Sequence, residues 1–177
     1  MSKAPARTAP RRGRPKVQID IIVRSARWRK HSTAKTLVKK AVLAAAKAVS
    51  TSPIELAIVL SNDSAIRALN RDWRGKNAPT NVLSFPVHGR PAGQRRAGKR
   101  SNRSPYIGDI VIAFETVARE AKAQDKPFGH HLAHLAIHGF LHLHGYDHEN
   151  DREAQTMERL ERQILARLAI PDPYAST

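Results

Sequence analysis

An α+β fold, with a small four-stranded mixed sheet and about five flanking helices in one layered domain, is what this chain predicts. Three observations carry that prediction. Short runs of alternating or continuous apolar residues interleave with longer segments of helical periodicity. The length of 177 residues at 41% hydrophobic content suffices for one core and is too short for two substantial domains. No segment repeats, and strands with helices between and after them make a layered domain rather than a solenoid.

The elements follow in order. Val17 to Val23 reads as a strand with Ile19, Ile21 and Val23 on one face, and Ser32 or Thr33 caps a helix to about Val49 whose stripe is Leu37, Val38, Ala41, Val42 and Ala45. After Pro53, Ile54 to Leu60 is an apolar run of strand length. Ser61-Asn62-Asp63 offers capping oxygens for a helix through about Asp72. Asn81 to Pro86 is a short strand, confined to an edge or an end by its proline, and Ile107 to Ala113 resumes the sheet. Helices are expected over Phe114 to Gln124, over Gly129 to Leu143 after a turn at Asp125-Lys126-Pro127, and over Asn150 to Leu168 with Met157, Leu160, Ile164 and Leu168 on one face.

Charge divides the chain more sharply than hydropathy does. Of a net +16, residues 1–16 contribute six basic side chains and no acid, and residues 87–106 contribute six more with none. Both segments are rich in Pro, Gly and Ser and poor in large apolar residues, so they bury too little to offset ordering entropy. The expected organisation is therefore a basic disordered tail over 1–16, one domain over 17–170 with a flexible basic insertion at 87–106, and a C-terminal tail over 171–177. Residues 107–177 carry 7 basic against 11 acidic side chains. Phosphate affinity thus falls to the N-terminal half and the arms, unless those arms serve solubility alone. With no cysteine, a metal site must rest on histidine and carboxylate. No apolar run is long enough to span a membrane and no secretory signal opens the chain, so a cytoplasmic protein is expected. The arginine-rich start has the charge of a transit peptide, but Pro5, Pro10 and Pro15 oppose an amphipathic helix.

The richest stretch runs from His138 to His148. His138 and His142 are four apart, one turn up the same helix face, and Gly145 lets the backbone reverse to return His148. Three neutral nitrogens would hold one Zn2+ with a fourth, open position for water. Seven of the nine histidines lie between His130 and His148, so each needs weighing. His130 and His131 open the helix and read as solvated. His134 shares the face of His138, as a partner behind the ligand or as a satisfied core residue. His144 is off that face and has no assigned role.

The spacing matches the metzincin peptidase signature at every position but one, where the general-base glutamate is replaced by Gly139. Without that carboxylate, amide hydrolysis lacks its proton carrier. Phosphodiester cleavage has a better leaving group and depends more on charge stabilisation. The missing side chain is expected to leave room beside the metal for a phosphate.

Four motifs in order over about residues 50–165 resemble the YbeY family of bacterial metallo-endoribonucleases. They are Leu69-Asn70-x-x-Trp73-Arg74, Pro79-Thr80-Asn81-Val82-Leu83-Ser84-Phe85-Pro86, Gly108-Asp109-Ile110-Val111-Ile112, and the His138 to His148 stretch. The resemblance implies a zinc-dependent, single-strand-specific endoribonuclease that matures the 3′ end of 16S rRNA and takes part in ribosome assembly and quality control. Its partners would be single-stranded RNA, the small-subunit rRNA precursor and the ribosome. Its zinc ligands map onto His138, His142 and His148, and its functional arginine onto Arg74. The tail and the insertion exceed the family pattern.

Arg74 also has a case from its own chemistry, since a guanidinium at a helix end can grip a phosphate with two hydrogen bonds, or simply cap the helix. Asp147 could orient a histidine, accept a proton or cap the last helix, and Asp109 could satisfy backbone donors after Gly108. The attacking group is open between water and the ribose 2′-hydroxyl. Two other readings stand beside the nuclease: a non-catalytic RNA-binding assembly factor with a structural metal, and a metallopeptidase.

Overall fold

Alternation along the strands sorts apolar side chains to two faces of one sheet. The computed structural model describes residues 17–49, 53–87 and 104–175. Strands β1 (Val17–Val23), β2 (Ile54–Ser61), β3 (Val82–Pro86) and β4 (Tyr106–Ala113) pair in the order β1-β2-β4-β3. β1 and β4 run parallel to β2, whereas β3 is antiparallel to β4, with Ser84 opposite Ile110. The sheet is mixed, as expected, and Pro86 ends an edge strand where its missing N–H does least harm.

Helices cover both faces. Ile54, Leu56, Ile58 and Leu60 of β2 with Ile110 and Ile112 of β4 face the larger core, filled by α1 (Ala34–Ala48), α4 (Phe128–Leu143) and α5 (Asp151–Ala166). Val111 and Ala113 point the other way, with Leu83, onto Ile66 of α2 (Asp63–Arg74). Helix α3 (Phe114–Ala123) follows β4 directly and adds Val117 to the larger core.

Local chemistry explains most boundaries. Asn62 caps α2, its side chain accepting from the Ala65 N–H at 2.9 Å, and Asn150 caps α5 by accepting from the Glu153 N–H at 3.0 Å. Thr33 stands at the N-cap of α1 but makes no side-chain cap bond. A 3-10 helix at Ala26–Lys30 has no periodic signal in sequence. It forms because Trp28 buries its ring edge-on against Phe114 and donates its indole N–H to the Ser61 carbonyl at 2.7 Å.

Three expectations need correction. Tyr106, placed in the insertion, begins β4 opposite Glu55. On α5 the buried positions are Met157, Glu161, Ile164 and Leu165, so the buried stripe is rotated from the expected one and contains a carboxylate. Residues 171–175, expected as a tail, fold back: the Lys126 ammonium donates to the Pro173 carbonyl at 2.6 Å, and Tyr174 reaches Glu161. The basic segment 1–16 and the insertion from 88 to 103 lie outside the described residues.

Candidate metal centre

Helix α4 presents two unlike sides. Leu132, Ala133, Ala136, Ile137, Phe140 and Leu141 are buried, while His134, His138 and His142 follow one another at four-residue steps along a half-buried ridge. The helix ends where Gly145 takes φ 81°, a left-handed conformation that a side chain would resist. Its N–H bonds the His142 carbonyl at 3.0 Å and the Tyr146 N–H bonds the Leu141 carbonyl at 3.1 Å, closing the last turn and reversing the chain. That reversal returns His148, whose ring centroid lies 5.4 Å from His138 and 5.0 Å from His142.

One ligand atom from each of the three histidines lies within 4.8 Å of the others. The Nε2 atoms of His138 and His142 are 3.0 Å apart. Two imidazole nitrogens on one tetrahedral zinc, each at about 2.0–2.1 Å, stand roughly 3.3 Å apart, so the spacing fits a shared ion. The far sides of the rings are anchored. The His138 Nδ1 is 2.8 Å from Glu161 Oε1, and His142 bonds the Tyr146 backbone with its Nδ1 3.8 Å from Asp147 Oδ1. A proton on each Nδ1 leaves the Nε2 lone pair aimed inward, as a metal ligand requires.

Glu161 is the residue that periodicity missed. It is fully buried, and its two oxygens take the His138 Nδ1, the His134 Nε2 at 3.1 Å and the Tyr174 hydroxyl. Burial by itself would raise its pKa, but the hydrogen bonds and electrostatic attraction of the His134 and His138 rings outweigh that and hold it down at about 2. An ionised carboxylate only accepts, which fixes both rings as donors toward it. The available signal was a glutamate four residues after Met157 and three before Ile164, on the apolar stripe of α5. His142 is pushed down to about 4, first by burial and then by the neighbouring His138 and His148 charges, and so is neutral at pH 7.

The other histidines sort differently from the sequence reading. His131 is not solvated: it is 5% exposed with its Nε2 2.8 Å from Glu120 Oε2. His134 is the partner behind His138 through their shared carboxylate. His144 packs on the Phe140 ring at 4.3 Å, away from the trio. Asp147 does not cap α5, a role Asn150 takes; it accepts from the His148 N–H at 2.9 Å beside the trio. Asp109 accepts from the Tyr106 hydroxyl at 2.6 Å, and among the described residues no backbone N–H donates to its side chain. A cleft of 490 Å³ lined by Gly145, Tyr146, Asp147, Asn150 and Arg152 opens next to this turn.

Gly139 corrects an expectation about space. A Cβ there would lie 2.8 Å from Ile110 Cγ2 and 3.1 Å from Ser84 Oγ. The room left by the missing side chain is filled by the sheet, not open beside the histidines. Glycine is needed because α4 lies directly on β3 and β4, and Ser84 donates to the Gly139 carbonyl at 3.0 Å.

Arg74 is not gathered with the trio. It is exposed at the end of α2, across the sheet from α4, and among the described residues no hydrogen bond or ion pair joins it to the histidines. It stands in the last turn of the helix, where its charge also suits the helix C-terminus. The N–H groups of Gly75 and Lys76 take the Arg71 and Asn70 carbonyls at 3.0 and 3.2 Å, leaving the guanidinium without an acidic partner among the described residues.

Comparison with known proteins agrees with this architecture. The chain is 49% identical over 158 residues to a protein of Bradyrhizobium diazoefficiens named Endoribonuclease YbeY, covering 88% of this chain and 84% of that one. It is 53% identical over 150 residues to a Rhodopseudomonas palustris protein of the same name, covering 84% of each. The solution structure of a Thermotoga maritima protein superposes with a TM-score of 0.53 at 21% identity, over 90% of this chain and all of that one, a likeness of fold. The family described as Endoribonuclease YbeY matches residues 21–169, and the chain belongs to that family.

Proposed function

We propose that this protein is a zinc-dependent endoribonuclease that cuts single-stranded RNA, and that it matures the 3′ end of 16S rRNA during ribosome assembly and quality control in the cytoplasm. The observation that carries the reading is the pair of Nε2 atoms 3.0 Å apart, with their rings anchored on the far side and a third histidine returned beside them. His138, His142 and His148 would hold the ion. Among the described residues three donors gather, matching an open catalytic site rather than the four of a closed structural one, which disfavours the assembly factor with structural metal. When bound, zinc supplies Lewis-acid polarisation of a phosphate oxygen and a water of lowered pKa.

The chain's own groups do the rest. Glu161 keeps the His138 ring turned so that Nε2 faces inward, and His142, neutral at pH 7, offers a lone pair without first losing a proton. Arg74 is the proposed phosphate-binding group, since its five-donor fork has no acidic partner among the described residues and suits a bidentate grip on a phosphodiester. No general-base carboxylate can stand at position 139 without displacing Ile110, which weighs against a peptidase.

The test pairs elemental analysis with cleavage of an unstructured RNA. One zinc per chain is expected, His142→Ala should lose metal and cleavage together, and Arg74→Ala should keep metal and fold while turnover falls at least tenfold. Cleavage that survives in the metal-free His142→Ala protein would overturn the proposal. The ends of the products decide whether water or the 2′-hydroxyl attacks.

A further inference from the structure

The chain has two tryptophans, and they are treated oppositely. Trp28 is 2% exposed, whereas Trp73, one residue before Arg74, is 71% exposed. Leaving most of an indole in water forgoes a large hydrophobic gain, so the exposure is a feature to account for. The ring is nevertheless placed: its centroid is 5.8 Å from that of Phe85 at an interplanar angle of 67°, an edge contact that leaves broad aromatic surface open.

Charge surrounds it. Arg74 and Lys76 follow on the same helix end and have no acidic partner among the described residues, while the acid next to Trp73, Asp72, is neutralised by Arg71 at 2.8 Å. Position adds the second argument. Phe85 lies on β3, the edge strand, and the neighbouring Ser84 turns to the opposite face and bonds Gly139, the residue after His138. Trp73 and helix α4, which carries His138 and His142, therefore lie on opposite faces of the sheet at its β3 edge.

We propose that Trp73 is a stacking platform for an unpaired base of the RNA, with Arg74 and Lys76 holding the phosphates on either side, so that the strand crosses the β3 edge on its way to the histidines. This deepens the endoribonuclease reading and rests on it. An aromatic platform with flanking cations is how single strands are held without regard to sequence, and a base inside a duplex cannot present its face to such a ring.

Because Trp28 is buried, the exposed indole reports directly on binding. The full-length protein is titrated with a short 2′-O-methyl oligouridylate, which does not fluoresce, and affinity is measured separately by anisotropy of a labelled copy. Binding is expected to quench tryptophan emission, and a blunt-ended duplex with no unpaired bases should not quench it. Trp73→Leu should abolish the quench and weaken affinity by between about fivefold and a hundredfold, the range for one stacked base. Trp73→Phe, which keeps a ring, should stay within about threefold of the parent. Binding seen by anisotropy with unchanged emission, or unchanged affinity in a folded Trp73→Leu protein, overturns the platform while leaving the nuclease reading intact. Failure of the parent protein to bind any RNA overturns both.

Discussion

Replacing Glu161 by glutamine preserves the volume of a fully buried side chain and removes the charge that three donors share. A carboxylate accepts from His134, His138 and Tyr174 at once; an amide offers one oxygen and turns an NH2 toward at least one donor. A hydrogen bond to a charged group is worth about 1.5–3 kcal/mol, and at least one is lost. Linkage gives a similar figure. Holding the carboxyl at about 2 instead of its ordinary 4.5 corresponds to about 3 kcal/mol at neutral pH, present above 4.5 and lost as pH falls through the folded value. Metal-stripped Glu161→Gln should therefore unfold about 5–10 °C below the parent. The His138 ring is then no longer held in one tautomer, and zinc affinity, measured by competition with a chromophoric chelator, should fall about 10- to 100-fold. A melting loss with affinity within twofold of the parent would refute the claim that this carboxylate orients His138, and no change in either would refute its burial as an ion.

Other perturbations have equally defined outcomes. Gly139→Ala forces a methyl to 2.8 Å from Ile110; overpacking costs about 1–3 kcal/mol against about 1 kcal/mol of improved helix propensity, so denaturant unfolding should show a loss of up to about 2 kcal/mol. A stabilised variant would mean α4 sits further from the sheet. In metal-stripped protein the lowered His142 pKa means the unfolded chain takes up a proton first as pH falls. Stability should drop by as much as about 3 kcal/mol between pH 6.5 and about 4, and His142→Asn should flatten that part of the profile; equal slopes would remove burial of a neutral His142. Deleting residues 1–16 removes six basic side chains and should lower the slope of log affinity for single-stranded RNA against log salt by up to about 4; an unchanged slope would mean the segment does not meet RNA.

The sequence by itself determined what depends on neighbours along the chain. Alternation in Val17–Val23 and the apolar run at Ile54 gave β1 and β2, the capping oxygens of Ser61-Asn62-Asp63 announced the start of α2, and two histidines one helical turn apart before a glycine gave the trio. These are legible because helix pitch, cap chemistry and a left-handed turn act within a few residues. Only the tertiary structure decided which distant groups complete the site. Glu161 is 23 residues from His138 in sequence and reads as a solvated charge until α5 docks on α4. His131 reads as exposed until Glu120 of α3 meets it. Gly139 reads as vacant space until Ile110 fills it, and only the fold sets the helix bearing Arg74 on the other face of the sheet from α4. Pairing across elements is set by how helices seat on the sheet, a sum over the whole core that no local pattern encodes.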